Sequence, residues 1–400
     1  MPTPRSAVAL VACATLAACA GNGGSDGGSD GGATSIGTPS SSAPSQSPSP
    51  SLSLSSPSSL SPSGSQTVSA TPTISTPPPG QITLAFAGDV HFAGRLEPLL
   101  TDPAAALLSI EPQLSAADVT VLNLETAITE RGREEPKQFH FRAPATALQA
   151  FAGAGVDVLS MANNHGVDYG AAGLQDTLAA VASSPVPVVG IGRDAAQAFA
   201  PAVVDVRGTS VAVLGATQVP DRTTAAWSAS DFEPGVAATL DPARLLAAVE
   251  AARANADVVV VYLHWGIENT GCPDGSQQTL ARQLSLAGAD VVVGTHAHQL
   301  QGAGWLPVDR TGAVPGPTST YIGYGLGNFV WWRSNDEVAV TTGVLTLTLD
   351  GRATSRADWT PMRIGDDGLP VVQNGAAGDS VLAAWNEART CSGLSSEPPP

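Results

Sequence analysis

Ile82-Thr83-Leu84-Ala85-Phe86-Ala87-Gly88-Asp89-Val90-His91 is an apolar run that stops abruptly in glycine, aspartate and histidine. A short run of this kind, with no charge before its end, predicts a strand buried on both faces. Similar runs recur at 119–124, 156–161, 186–191, 203–206, 211–214, 258–263, 291–293, 321–324 and 344–349. Between them, 104–114, 146–154, 173–182, 242–254 and 276–286 carry apolar residues at helical spacing, and Asp241-Pro242 is a helix-start signal. Strands alternating with helices predict an α/β fold, and the runs flanking Arg207-Gly208 predict an antiparallel hairpin.

The polar residues collect at the ends of these strands. Gly88-Asp89-Val90-His91, Asn123-Leu124-Glu125, Asn163-Asn164-His165, His264-Trp265-Gly266 and Thr295-His296-Ala297-His298 each close a predicted strand, and that edge of an α/β sheet is where ligands bind. Five of the six histidines fall there, and only His140 does not. A lone histidine is most often a hydrogen-bonded core or surface residue. Five at strand ends, beside Asp89, Glu125 and Asn164, instead describe a metal site. Imidazole mixed with carboxylate and amide oxygen suits Mn, Zn or Fe, not the all-oxygen set of Ca or the thiolates of structural zinc. The donors outnumber what one ion needs, so two divalent ions bridged by a carboxylate, with positions left open, are expected.

In chain order, Gly-Asp-Val-His, Asn-Leu-Glu, Ala-Asn-Asn-His followed by Asp168 and Gly170, His-Trp-Gly-Ile-Glu, Gly-Thr-His-Ala-His and Leu-Gly-Asn-Phe resemble the bacterial capsule-synthesis CapA family. These poly-gamma-glutamate synthesis proteins are in turn similar to calcineurin-like metallophosphoesterases, and the resemblance runs from about 82 to 329. It implies a four-layer αββα sandwich of that type. It further implies that Asp89, His91 and His298 hold one metal, that Asn164, His264 and His296 hold the other, and that Glu125 bridges them. His165 would protonate a leaving group, with Asp168 orienting it. Glu125 stands where the phosphoesterase pattern has Asp, one methylene shorter. The implied function is a metal-dependent hydrolase or transferase in capsule or poly-gamma-glutamate synthesis. A dinuclear phosphoesterase for a small phosphate ester, and a non-catalytic polymer-binding or anchoring protein, are the alternatives.

Neighbouring residues admit two readings each. Glu268 is either a hydrogen-bond partner of a ligating imidazole or an exposed loop carboxylate. Asn123, Asn163 and Asn328 either line the cleft or form turns. Lys137, His140 and Arg142, interleaved with Phe139 and Phe141, predict an edge strand, with charge for an anionic substrate as the other reading. Trp331-Trp332 reads as a groove wall or as core.

Outside this domain the chain changes character. Arg5 precedes a small apolar run at 7–17, too short to span a bilayer, which predicts a signal peptide over 1–18. Leu16-Ala17-Ala18-Cys19 resembles a lipobox; it predicts lipidation of Cys19 and attachment to the outer face of the cell membrane, and secretory cleavage beside an incidental cysteine is the alternative. The Gly-, Ser- and Pro-rich residues 19–80 predict a disordered tether with a coil dimension of about 45 Å. A folded domain over 81–392 and a disordered tail over 393–400 complete the expected organisation. Cys272 and Cys391, the two cysteines outside the export signal, predict a disulfide in an oxidising compartment, with free thiols as the alternative. With 18 basic against 35 acidic side chains, the chain lacks the positive footprint that nucleic acid requires. Expected partners are the membrane, an anionic envelope polymer and other capsule-assembly proteins.

Overall fold

Two stacked sheets organise the domain. The computed structural model describes residues 80–309, 316–332 and 335–399; the expected signal peptide, Cys19 and tether lie outside them. In the first sheet the strands run in the order Pro370–Val372, Ala353–Ile364, Thr341–Asp350, Gln81–Val90, Val119–Leu124, Val158–Ser160 and Val188–Val189, with Asn328–Val330 also paired to Gln81–Val90. In the second the order is Ala303–Pro307, Ser319–Gly323, Val291–Thr295, Val258–His264, Thr209–Thr217 and Ala202–Val206. In the second sheet the central strands pair in parallel and the two outer ones antiparallel. In the first, the strands from Gln81–Val90 to Val188–Val189 pair in parallel and those from Gln81–Val90 to Pro370–Val372 pair antiparallel.

Three hydrophobic cores define the layers. Phe86, Val121, Val158 and Leu347 of the first sheet pack on Val213, Val260, Tyr262 and Val293 of the second. On the far side of the first sheet, Leu122 and Leu159 meet Phe151 and Leu174 from the helices Ala147–Gly153 and Gly170–Ala182. On the far side of the second, Leu214 and Val261 meet Leu245 and Leu284 from Ala243–Asn255 and Gly275–Ala287. Helices, sheet, sheet and helices therefore stack as the expected αββα sandwich. Central strands such as Val119–Leu124 and Val258–His264 are buried along their whole length between apolar layers, which is why their sequences are predominantly apolar.

Local signals set several boundaries. Asp274 accepts hydrogen bonds from the Ser276 and Gln277 amides while the Gln277 side chain returns to the Asp274 N–H, a capping box that starts Gly275–Ala287. The predicted hairpin forms between Ala202–Val206 and Thr209–Thr217, with Arg207 and Gly208 at φ 51° and 85°. The helix expected at 104–114 is mostly turns, ending in the short helix Glu111–Leu114. Pro103 and Pro112 punctuate that segment, and each lacks the N–H that a continuous helix uses. Likewise, of the edge strand expected around Lys137, only Arg142–Ala143 pairs, with Ala127–Ile128.

The C-terminal part holds elements that the apolar runs did not announce. Ala353–Ile364 is a twelve-residue strand with polar residues on its open side, and Gly375–Ala388 covers it, stacking Trp385 on Trp359 at 4.0 Å. Cys272 and Cys391 are joined by a disulfide. Beyond it the chain stays folded past 393, where a free tail was expected. Leu394 packs on the outer core and Ser395 exchanges backbone hydrogen bonds of 2.9 and 3.0 Å with Trp305. Gly304 permits this approach, since a Cβ there would lie 2.2 Å from the Ser395 carbonyl oxygen. Among the described residues, no helix is long and apolar enough to cross a membrane.

Candidate metal centre

Strand register brings the polar strand ends together. Asp89 sits level with Asn123 on one neighbouring strand and with Asn328 on the other, and His264 sits level with Thr295. Gly88 makes the Asn328 side possible: a Cβ there would lie 1.9 Å from the Gly327 carbonyl oxygen, which instead accepts the Asp89 N–H at 3.0 Å. Behind the site the Tyr262 hydroxyl donates to the Ala87 carbonyl, tying one sheet to the other.

Around this junction three overlapping groups of donors form, each with its ligand atoms within 4.8 Å of one another: Glu125, His264 and His296; Asp89, Glu125 and His298; and Glu268, His296 and His298. Asn164 joins them through its Oδ1, 2.9 Å from His264 Nε2. His91 belongs to none of the three, although the sequence pairs it with Asp89. Its Nδ1 accepts the Ala93 N–H at 3.1 Å, so in a neutral ring Nε2 carries the proton. The ring itself is stacked on Phe141 at 4.3 Å and met edge-on by Trp331 and Trp332.

The neighbours hold the donors in place. Asn123 Nδ2 donates to Asp89 Oδ1 at 2.8 Å, and Asn163 Nδ2 donates to Asn123 Oδ1 and to the Leu124 carbonyl. Asn328 Nδ2 donates to the carbonyls of His298 and Ala339, which leaves its Oδ1 to accept from His298 Nδ1 at 2.9 Å. In a neutral ring that bond fixes the tautomer and leaves the lone pair on His298 Nε2, the nitrogen able to bind a metal. All three asparagines therefore position neighbouring groups rather than serving only as turn formers. His165 Nδ1 lies 2.7 Å from Asp168 Oδ2, and its Nε2 lies 3.7 Å from Glu125 Oε1. Lys137 Nζ lies 2.5 Å from Asp168 Oδ1 and donates to the Asn164 carbonyl at 2.6 Å. It braces the site from within, which neither sequence reading of Lys137 captured.

The electrostatics are those of a site short of positive charge. Glu125 is fully buried and neither carboxylate oxygen has a hydrogen-bond partner among the described residues. Burial, and after it the Asp89 carboxylate, pushes its carboxyl well above the usual carboxylate range. Burial and then neighbouring imidazoles hold His91 and His296 well below the ordinary histidine range. Burial and then Lys137 do the same to His165, and burial takes His264 down to about 4. His298 goes the other way: burial lowers it, but Glu125, Asp89 and Glu268 together raise it further. Asp168 is pushed up to about 7 by burial, against the pull of Lys137. Both Glu125 oxygens, His91 Nε2 and His296 Nδ1 have no hydrogen-bond partner among the described residues, and such groups are costly in a dry interior. A cation among them removes that cost, so the residues fit a divalent metal.

Two features were missed in the sequence. Thr295 Oγ1 lies 3.1 Å from His264 Nδ1, and its place directly before His296 was the available signal. Phe141, sandwiched between His91 and His165 at 4.3 and 4.2 Å, had no local signal, because both partners come from distant strands.

Residues 83–332 match the family described as bacterial capsule synthesis protein PGA_cap. The PGA biosynthesis protein CapA of Bacillus subtilis (strain 168) is 30% identical over 303 residues, covering 74% of this chain and 74% of that one. The capsule biosynthesis protein CapA of Bacillus anthracis is 31% identical over 274 residues, covering 65% and 63%. Among solved structures, the NAD nucleotidase of Haemophilus influenzae aligns at a TM-score of 0.41 and 12% identity, covering 79% of this chain and 57% of that one. A calcineurin-like phosphoesterase from Bacillus subtilis aligns at 0.38 and 13%, covering 78% and 98%.

Proposed function

Because the chain belongs to the bacterial capsule synthesis protein family, we propose that it is a metal-dependent hydrolase or transferase acting on an anionic cell-envelope polymer such as poly-gamma-glutamate. The observation that carries this reading is the buried Glu125 carboxylate, unpartnered at both oxygens and ringed by donors from separate strands. Asp89, Glu125 and His298 would hold one divalent ion, and Glu125, Asn164, His264 and His296 a second, with Mn, Zn or Fe as the suitable metals. When bound, such a pair supplies Lewis acidity and a water of lowered pKa.

The chain's own residues supply the rest. His165 faces the site with Nε2, while Asp168 holds Nδ1 and thereby fixes the ring and its tautomer. Nε2 is the atom that would deliver a proton to the departing group. Lys137 keeps Asp168 in place and anchors the Asn164 backbone. A net charge of −17 would repel a polyanion, so the bound cations also supply the local positive field that admits one. Export through residues 1–18, a lipid on Cys19 and the Ser/Pro-rich tether would place the site outside the membrane, beside the polymer and its assembly proteins.

The protein loaded with manganese or zinc is expected to turn over gamma-glutamyl peptides, and His165→Ala to lower the rate by about 10²–10⁴-fold. Metal-dependent turnover unaltered by that change removes His165 from the mechanism. Turnover of small phosphate esters alone would favour the phosphoesterase alternative. Deleting the gene should deplete surface polymer, and unchanged polymer argues against the envelope role.

A further inference from the structure

Glu268 stands over this centre, on the loop between the strand Val258–His264 and the helix Gly275–Ala287. We propose that Glu268 is itself a metal ligand, the donor that closes the His296–His298 side of the centre from solvent. The inference rests on the metal-centre reading above and adds to it a residue that the expected ligand set leaves out.

Geometry comes first. A carboxylate oxygen of Glu268 and one ring nitrogen from each of His296 and His298 lie within 4.8 Å of one another. His296 is 4% exposed and its Nδ1 is buried with no hydrogen-bond partner, which a native interior rarely tolerates unless something fills the gap. His298 Nδ1 is taken by Asn328 Oδ1, so in the neutral ring Nε2 carries a lone pair. A carboxylate and a lone-pair nitrogen brought together are two acceptors, and a cation between them satisfies both. A hydrogen bond from His298 Nδ1–H to Glu268 is not available, because that N–H is already engaged by Asn328.

The backbone is built to hold this arrangement. Asn269 N–H donates to the Ala297 carbonyl at 2.9 Å, stitching the Glu268 loop to the His296-Ala297-His298 segment. Asn269, His296 and His298 have φ of 58°, 92° and 56°, three of the four non-glycine residues with left-handed φ among those described. Strain of this kind gathers where function requires a fixed geometry. Gln301 donates to the Thr270 and Cys272 carbonyls, and the disulfide to Cys391 fixes the far end of the loop. Glu268 is thus an exposed side chain on a backbone pinned on both sides.

The test is calorimetric titration of the metal-free protein with Mn²⁺, comparing wild type with Glu268→Gln and with Glu250→Gln, an exposed carboxylate on the helix Ala243–Asn255. Both variants are expected to melt like the wild type without metal. Glu268→Gln should weaken one ion by at least about tenfold, and the loss should persist in about 1 M salt, where screening falls to about 3 Å. Glu250→Gln should bind as the wild type does. Wild-type stoichiometry and affinity in Glu268→Gln, or a deficit that disappears at high salt, overturns the inference while leaving the metal centre intact. A wild-type chain that takes up no Mn²⁺ overturns both the inference and the reading beneath it.

Discussion

A carboxylate is buried before a strand of one sheet and another after a strand of the other, and the two are treated in opposite ways. At the N-terminal end of one, Asp290 leads into Val291–Thr295 with Arg253 Nη1 at 2.7 Å, Arg352 Nη2 at 3.0 Å and the Val259 N–H at 2.9 Å. At the C-terminal end of the other, Glu125 is as deeply buried and has no donor on either oxygen. Burial raises the carboxyl pKa at both. Arg352, the Val259 amide and Arg253 counter it at Asp290, whereas Asp89 adds to it at Glu125. A buried acid is therefore no mark of function in itself. The mark is a buried acid to which the fold supplies no cation, beside imidazoles that can help hold one.

That contrast breaks most visibly at Asp290. Asp290→Ala strands two guanidinium groups and should lower stability by about 3–5 kcal/mol in chemical denaturation, with metal uptake per folded molecule unchanged. A loss under about 1 kcal/mol would mean that the fold does not depend on this cluster.

Next comes the disulfide, which belongs to the metal end only. Cys272→Ser with Cys391→Ser should cost about 2–4 kcal/mol. Faster hydrogen exchange should appear over 265–274 and 392–396 while the strands around Asp290 keep their protection. Uniform loosening would show that the disulfide supports the whole domain instead.

The pH response is of similar or smaller size. His264, at about 4 in the metal-free fold against an ordinary 6.5, is kept neutral by burial. Its contribution is complete above about pH 6.5 and is lost as pH falls toward 4, because the unfolded chain binds the proton first. Wild type should therefore lose up to about 3 kcal/mol across that window that His264→Gln does not lose. Parallel pH profiles for the two would contradict the burial argument.

The smallest effect carries the sharpest sign. Glu125→Gln should leave the metal-free protein as stable as wild type or about 1 kcal/mol more stable, since it removes a buried carboxyl whose ionisation burial and Asp89 oppose, while abolishing tight uptake of at least one ion. Destabilisation on the scale of Asp290→Ala would place Glu125 among the structural carboxylates.

Much of this was legible in the sequence because the central strands are buried on both faces. Runs such as 258–263 and 291–293 show as unbroken apolar stretches, and the polar residues that follow them stand out. Ala353–Ile364 did not show, because one side of it carries Arg356 and Asp358 and its register depends on Thr341–Asp350. The donors at the strand ends could be picked out one by one. Their grouping could not, because it depends on which strands are neighbours, and the loop geometry that brings Glu268 toward His296 and His298 has no local signature. Lys137 looked like part of an edge strand since its partner Asp168 arrives from another loop.

Anomalous diffraction at the zinc edge, from crystals of the protein grown with zinc, shows whether the strand ends around Glu125 hold metal. Peaks are expected about 2.0–2.3 Å from Glu125 and from a ring nitrogen of His264, His296 and His298. Zinc found elsewhere, with no peak between those side chains, would contradict a metal centre there.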